Sequence, residues 1–305
     1  MTTETVRLSE VTKSYGKQNA VKDVSCALRE GETVALVGHN GAGKTTLIKL
    51  MLGLVRPSAG KVSVLGEDPA AGEFAARRRL GFLPENVSFN MALTGRETLR
   101  FYARLKRVPL AAVSLLLDRV GLTEAADRRV GTYSKGMRQR LGLSQALLGE
   151  PRVLLFDEPT TGLDPALRSS FYRIVRELRD KGATVLLSSH ALNELEGKAD
   201  RVIIVDRGIR IADGSIDELR NLARLPTRIR VRLADGAADW PEGWVNAHPW
   251  RRINGQTLEI DARPEDKVML LRSAADAGTV ADMDVLPPTL DELYAHFLAQ
   301  KEAAR

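Results

Sequence analysis

The chain has 305 residues, is 44% hydrophobic and 28% charged, and carries a formal net charge of +6. That balance excludes a disordered chain, and the longest unbroken apolar runs, VLLF and VIIV, are strand-sized against the about 20 residues that a membrane-spanning helix needs. One cysteine, Cys26, excludes an internal disulfide and suits a reducing compartment. The opening MTTETVRL has no apolar core of the kind a secretory signal carries.

Residues 5–37 alternate apolar and polar in short runs broken by glycines, which predicts strands and turns. TVALVG, 33–38, reads as a buried strand ending on glycine, and a helical pattern runs from Lys44 through Leu52. GRETLRFYARLK, LAAVSLLLDRVG and MRQRLGLSQALLG predict three helical segments between Gly95 and Gly149. Strands return at VLLF and TVLLSS with a helix between them. Buried strands alternating with helices predict a parallel sheet in an α/β domain, and the helices at about 86–149 read as a subdomain inserted into it. RVIIVDRGIRIADG reads as a hairpin followed by a short helix. A boundary is expected near Leu225–Pro226. Residues 226–305 then read as strand, strand, helix, strand, helix: a small α+β domain.

GHNGAGKT, Gly38 to Thr45, follows a strand and opens a helix, as a phosphate loop must. Its glycines let backbone N–H groups curl around a β-phosphate, and the helix N-terminus adds positive potential. Gly38, His39, Asn40, Gly41, Ala42, Gly43, Lys44, Thr45 and Thr46 are therefore the candidate nucleotide-binding loop. His39 counts as a residue of that loop rather than as a side-chain ligand. Lys44 would contact the β- and γ-phosphates, and the Thr45 hydroxyl would ligate Mg²⁺. VLLFDEP delivers two carboxylates at a strand's C-terminal end, where open α/β sheets bind ligands. Asp157 can hold Mg²⁺ through water, and Glu158 can polarise an attacking water. Together these residues point to nucleoside-triphosphate hydrolysis.

YSKGMRQRLGLSQAL, 133–147, resembles the signature segment of ABC-type ATPases, with Ser134, Lys135 and Gly136 in a variant of the usual leucine-serine-glycine-glycine-glutamine pattern. The other family motifs follow in order: Tyr15 in SYGK is similar to the adenine-stacking aromatic, Asp164 in TTGLDP to the loop through which the two subunits communicate, and His190 after VLLSS to the switch histidine. The resemblance implies ATP and Mg²⁺ as cofactors, with Glu158, His190 and Lys44 catalytic. It also implies a head-to-tail homodimer, or a pair with a paralogue, in which one subunit's signature closes over the γ-phosphate held by the other. It further implies integral membrane permease subunits as partners and a place on the cytoplasmic face of the inner membrane, with no nucleic acid bound. Soluble ABC ATPases that act on DNA or ribosomes carry two cassettes or a long coiled-coil insertion, and this chain has neither.

The loop LGFLPENVSF departs from the family in carrying Glu85 where glutamine is usual. Glu85 is expected to bind Mg²⁺, the rivals being that Asn86 supplies the amide or that Glu85 is a surface acid. The segment 86–96 is the expected docking site for a permease helix, with Arg96 and Arg100 either on that face or simply solvated. HNGAGKTTL, LGFLPENVSF and LTGRETLRFYARLK are, more narrowly, similar to NosF-type ATPase subunits. That resemblance implies support for copper-enzyme (nitrous-oxide reductase) maturation, with a periplasmic partner reached through the permease. Drug and polysaccharide exporters are the alternative. The tryptophans Trp240, Trp244 and Trp250 either plug the small domain's core or mark a docking surface. Arg220, Arg224, Arg228, Arg230 and Arg232 are either solvated or face anionic lipid.

Overall fold

The computed structural model describes residues 3–71, 74–234 and 249–303. Two long antiparallel strands open the chain, β1 (Glu4–Tyr15) and β2 (Gln18–Arg29), followed by β3 (Thr33–Val37), α1 (Lys44–Met51) and β4 (Ala59–Val64). Next come α2 (Phe74–Arg78), β5 (Leu80–Leu83), α3 (Gly95–Lys106), α4 (Ala111–Arg119) and α5 (Lys135–Leu147). The chain returns through β6 (Val153–Phe156), α6 (Pro165–Asp180), β7 (Thr184–Ser189), β8 (Arg201–Asp206) and β9 (Ile209–Gly214).

The main sheet has the order β5-β6-β7-β3-β8-β9, parallel except for the antiparallel edge strand β9. Every residue of β3, β6 and β7 is buried, which is why these segments read as continuous apolar runs rather than alternating ones: parallel strands are covered on both faces. A second, antiparallel sheet of order β2-β1-β4 lies across α1. Val6, Leu8, Val24 and Leu28 share one core with Leu47, Ile48, Leu50 and Met51 of that helix and with Val34 and Leu36 of β3. Helix α1, and so the loop before it, is fixed from both sides.

Helices α3 to α5 form the inserted layer. Helix α3 starts at a capping box in which Thr94 and Glu97 satisfy each other's backbone N–H groups. Arg96 of α3 is engaged by both oxygens of Asp127 and by Ser114, so its guanidinium belongs to this layer's own packing.

The chain divides into two compact units, Met1–Ser215 and Ile216–Arg305. The division precedes α7 (Ile216–Ala223), some residues ahead of the expected 225. The reason is that Leu219 of α7 is fully buried and Arg220 donates to the Pro288 carbonyl, both within the second unit. That unit continues with β10 (Thr227–Leu233), β11 (Arg251–Arg252), β12 (Thr257–Ala262), α8 (Lys267–Asp276), β13 (Val280–Leu286) and α9 (Leu290–Ala303). Its antiparallel sheet has the order β11-β12-β10-β13.

One sheet face buries Ile229, Val231, Leu258, Ile260, Leu270 and Trp250. Trp250 thus fills the core; Trp240 and Trp244 lie outside the described residues. The other face alternates in charge. Arg228 meets Glu292, Arg230 meets Glu259 and Arg232 meets Asp282, while Arg220 meets Asp217. Four of the five arginines are thus paired with carboxylates of the same unit, while Arg224 is exposed.

Cys26 packs against the first unit's core, and burial, with the charge of Asp213 second, pushes its thiol up to about 12. The thiolate is the reactive form. Iodoacetamide at pH 8 is therefore expected to label the native protein at least about ten-fold more slowly than the guanidinium-unfolded chain; equal rates would contradict this placement.

Candidate functional site

Parallel strands put their C-terminal ends on one edge, and loops from β3, β6 and β7 meet there. Helix α1 begins at Gly43, whose φ of 105° lies in the left-handed region. A Cβ at Gly43 would stand 2.7 Å from the Ala20 carbonyl oxygen, and one at Gly38 would stand 2.4 Å from that of Val205. The loop can therefore curl between the β2 hairpin and β8 only as glycine. His39 through Thr46 line a cleft of about 650 Å³ together with Tyr15, Glu85, Asp157 and Glu158. That volume suits a nucleotide-sized ligand.

The carboxylates face the loop. Thr45 Oγ1 donates to Asp157 Oδ2 at 2.8 Å. Lys44 Nζ donates to the Gly38 carbonyl at 2.5 Å and stands 3.5 Å from Glu158 Oε1. Glu158 Oε2 lies 2.7 Å from His190 Nδ1. A carboxylate accepts, so Nδ1 carries the proton and Nε2 is left as an acceptor in the neutral ring. Lys44 and Glu158 are buried while the His190 side chain is 59% exposed, so the pair runs from the interior to the surface.

Glu158 adopts φ 49°, a left-handed conformation that a non-glycine residue holds at a cost of about 1–2 kcal/mol. Ser188 holds it there. Its hydroxyl donates to Asp157 Oδ1 at 2.7 Å and accepts the Glu158 N–H at 2.8 Å. One buried oxygen thus orients both acids. Ser188 was not singled out in the sequence; its position in the SSH run before His190 was the available signal. Gln18, Asn19 and Ala20 at the start of β2, and Arg207 in the turn after β8, also line the cleft; no motif in the sequence marks them.

Tyr15 sits at the rim, 50% exposed, with Lys13 Nζ 5.1 Å from its ring centroid. Glu85 is exposed and borders the cleft, whereas its neighbour Asn86 is not among the lining residues. Ser134, Lys135 and Gly136 do not line this cleft. They form the start of α5, where Ser134 caps the helix through the Met137 N–H, and Gly136 faces Leu167 and Leu163. Asp164 caps α6 in the same way, accepting the Leu167 N–H at 2.9 Å.

A glycine-rich phosphate loop facing two buried carboxylates on the carboxyl edge of a parallel sheet is the architecture of a P-loop nucleotide-binding protein. The ABC transporter family pattern matches residues 21–161. A daunorubicin resistance ATP-binding protein of Streptomyces coeruleorubidus is 36% identical over 96% of both chains. A Nod factor export ATP-binding protein of Bradyrhizobium diazoefficiens is 33% identical, again over 96% of each. Among solved structures, an ATP-binding subunit of an ABC transporter superposes with a TM-score of 0.68 at 33% identity, covering 71% of this chain and 92% of the other. The chain belongs to the ABC transporter family, as one of its ATP-binding subunits.

Replacing Ser188 by alanine removes a bond from each acid and leaves the buried Glu158 N–H unsatisfied. The expected outcome is a loss of about 1–3 kcal/mol in denaturant unfolding together with a fall in kcat at little-changed KM for ATP. Wild-type kcat would show that Ser188 does not orient the acids.

Proposed function

We propose that this chain is the energy-coupling ATPase of a membrane exporter for organic molecules and that it works as a head-to-tail pair. The observation that carries this reading is a division of labour. Lys44, Thr45, Asp157 and Glu158 share one cleft, while Ser134, Lys135 and Gly136 stand outside it at a helix N-terminus with donors suited to an anion. A second copy of the chain, or a paralogue, would bring its own signature to this cleft. ATP would then join the subunits when bound and release them when hydrolysed.

In that assembly Tyr15 stacks on adenine and the loop from Gly38 to Thr46 cradles the phosphates. Lys44 holds the β- and γ-phosphate oxygens. Glu158, oriented by His190 and Ser188, takes the proton of the attacking water. Asp164 faces the second subunit. The donor set at Thr45 and Asp157, a hydroxyl and a carboxylate 2.8 Å apart, fits a hard divalent cation. Charge neutralisation at the phosphates is what Mg²⁺ supplies there when bound. Glu85, on the same cleft, adds a further carboxylate for the metal.

Coupling to transport requires a partner, since no helix among the described residues is long and apolar enough to cross a membrane. Permease subunits would hold the chain at the cytoplasmic face of the membrane. We place their docking face on α3 and the segment before it. Met91, Phe101 and Leu105 expose apolar surface there, and Phe89 and Phe101 pack edge-on against Tyr102. Arg96, committed to Asp127, is not part of that face.

The cargo assignment follows the relatives, which are named for drug resistance and for Nod factor export. These names support export of small organic molecules, the alternative in the sequence reading. They do not support nitrous-oxide reductase maturation or a periplasmic partner.

Glu158→Gln is expected to bind ATP, to lose at least about 100-fold in turnover, and to elute at twice the monomer mass only with ATP present. A variant that hydrolyses at full rate would remove Glu158 as the base. For the metal, Glu85→Gln should raise the Mg²⁺ concentration that half-saturates ATPase activity; an unchanged Mg²⁺ dependence would exclude Glu85 as a ligand.

A further inference from the structure

We propose that Arg168 and Glu194 form a positioning clasp that ties the loop presenting Asp164 to the loop carrying His190, so that contact at Asp164 sets the geometry of the Glu158–His190 pair. The inference rests on the functional reading above, in which Asp164 meets the second subunit and Glu158 activates water.

Two loops leave adjacent parallel strands. After β6 the chain runs from Asp157 through Thr160 and Leu163 to Asp164, the cap of α6. After β7 it runs from His190 into a single 3-10 turn, Leu192–Glu194. Arg168 stands one helical turn beyond Asp164, and Glu194 stands four residues beyond His190. Arg168 Nε donates to the Leu163 carbonyl at 2.9 Å, and its Nη1 donates to Glu194 Oε1. The other oxygen of Glu194 accepts from Thr160 Oγ1 at 3.3 Å.

A single arginine therefore grips the backbone just before Asp164 and, through one carboxylate, both the His190 loop and the residue two positions after Glu158. Tyr172, the next turn of α6, closes the cluster. Its hydroxyl is pushed up to about 12 by burial and then by the charge of Glu194, whose side chain is 21% exposed.

The signature helix reaches the same loop. Gln139 Nε2 donates to the Pro159 carbonyl at 3.2 Å. The Lys135 ammonium lies 2.9 Å from where a Cβ on Gly162 would stand. The segment 159–163 is thus approached by α5 at Pro159 and Gly162 and gripped by α6 at Leu163. Glu194 joins it to the His190 loop twice, directly through Thr160 and through Arg168.

An isolated surface ion pair is worth at most about 1 kcal/mol and would change stability alone. A clasp joining two loops of the site predicts something else: loss of turnover without loss of nucleotide affinity. Arg168→Met, Glu194→Gln, the double variant and Arg168→Lys should be compared in the full chain. The readouts are kcat and KM for ATP, affinity for a fluorescent ATP analogue, and the melting midpoint.

Arg168→Met and Glu194→Gln are each expected to lower kcat about three- to thirty-fold with analogue affinity within about two-fold. The double variant should be no slower than the slower single one, because both break one connection. Arg168→Lys should recover part of the rate by keeping the charge. Unchanged kcat with a lowered melting midpoint would overturn the clasp, as would effects of the two single changes that multiply in the double. Should Arg168→Met fail to fold, Glu194→Gln and Arg168→Lys decide alone. Glu158→Gln separates the two readings. If it is inactive and Arg168→Met is silent, the clasp alone is wrong; if Glu158→Gln turns over at full rate, the underlying assignment is wrong.

Discussion

The hydrogen bond from Thr45 to Asp157 joins residues 112 positions apart, and the site depends on it. It can form only because β3 and β6 lie in one parallel sheet with β7 between them and end on the same edge. The loop after β3 then faces the acids after β6. The two-sided burial of α1, between the parallel sheet and the β2-β1-β4 sheet, holds the hydroxyl end of that bond. The core serves chemistry by making one short contact reproducible.

Around that contact, strain and hydrogen bonding are balanced. Glu158 sits in a backbone conformation that only surrounding structure can impose; the Ser188 hydroxyl holds its N–H, and the His190 ring holds its carboxylate. Glu158 is oriented by Ser188 of the neighbouring strand β7 and by His190 just after it, so its geometry is coupled to the β7 loop. That loop is in turn tied to the Asp164 loop through Arg168 and Glu194. In the proposed head-to-tail pair, such a linkage would join the water-activating acid to the surface that meets the second subunit.

The second unit shows a different economy of charge. Its central strand, β10, alternates Ile229, Val231 and Leu233 with Arg228, Arg230 and Arg232. The period of two sends the first set to the core and the second to a face where carboxylates of β12, β13 and α9 meet them. A cluster of basic residues along the chain therefore need not make a basic surface. Sequence counts cannot see a partner that lies 29 or more residues away.

The sequence by itself determined the phosphate loop, the strand-borne acids and the sheet-and-helix class, because each is encoded locally: glycines at fixed offsets, an apolar run ending in two carboxylates, helical and strand periods. It also marked Ser134, Lys135, Gly136, Asp164 and His190 through motif order. Tertiary structure alone decided which of these share a cleft. It put Glu85 on the cleft and Asn86 off it, revealed Ser188 as the bridge between the acids, and drew α7 into the second unit through its buried Leu219. It also turned Trp250 inward and committed Arg96 to Asp127. Those outcomes depend on contacts between segments far apart in the chain, set by strand order and register, which local spacing does not carry.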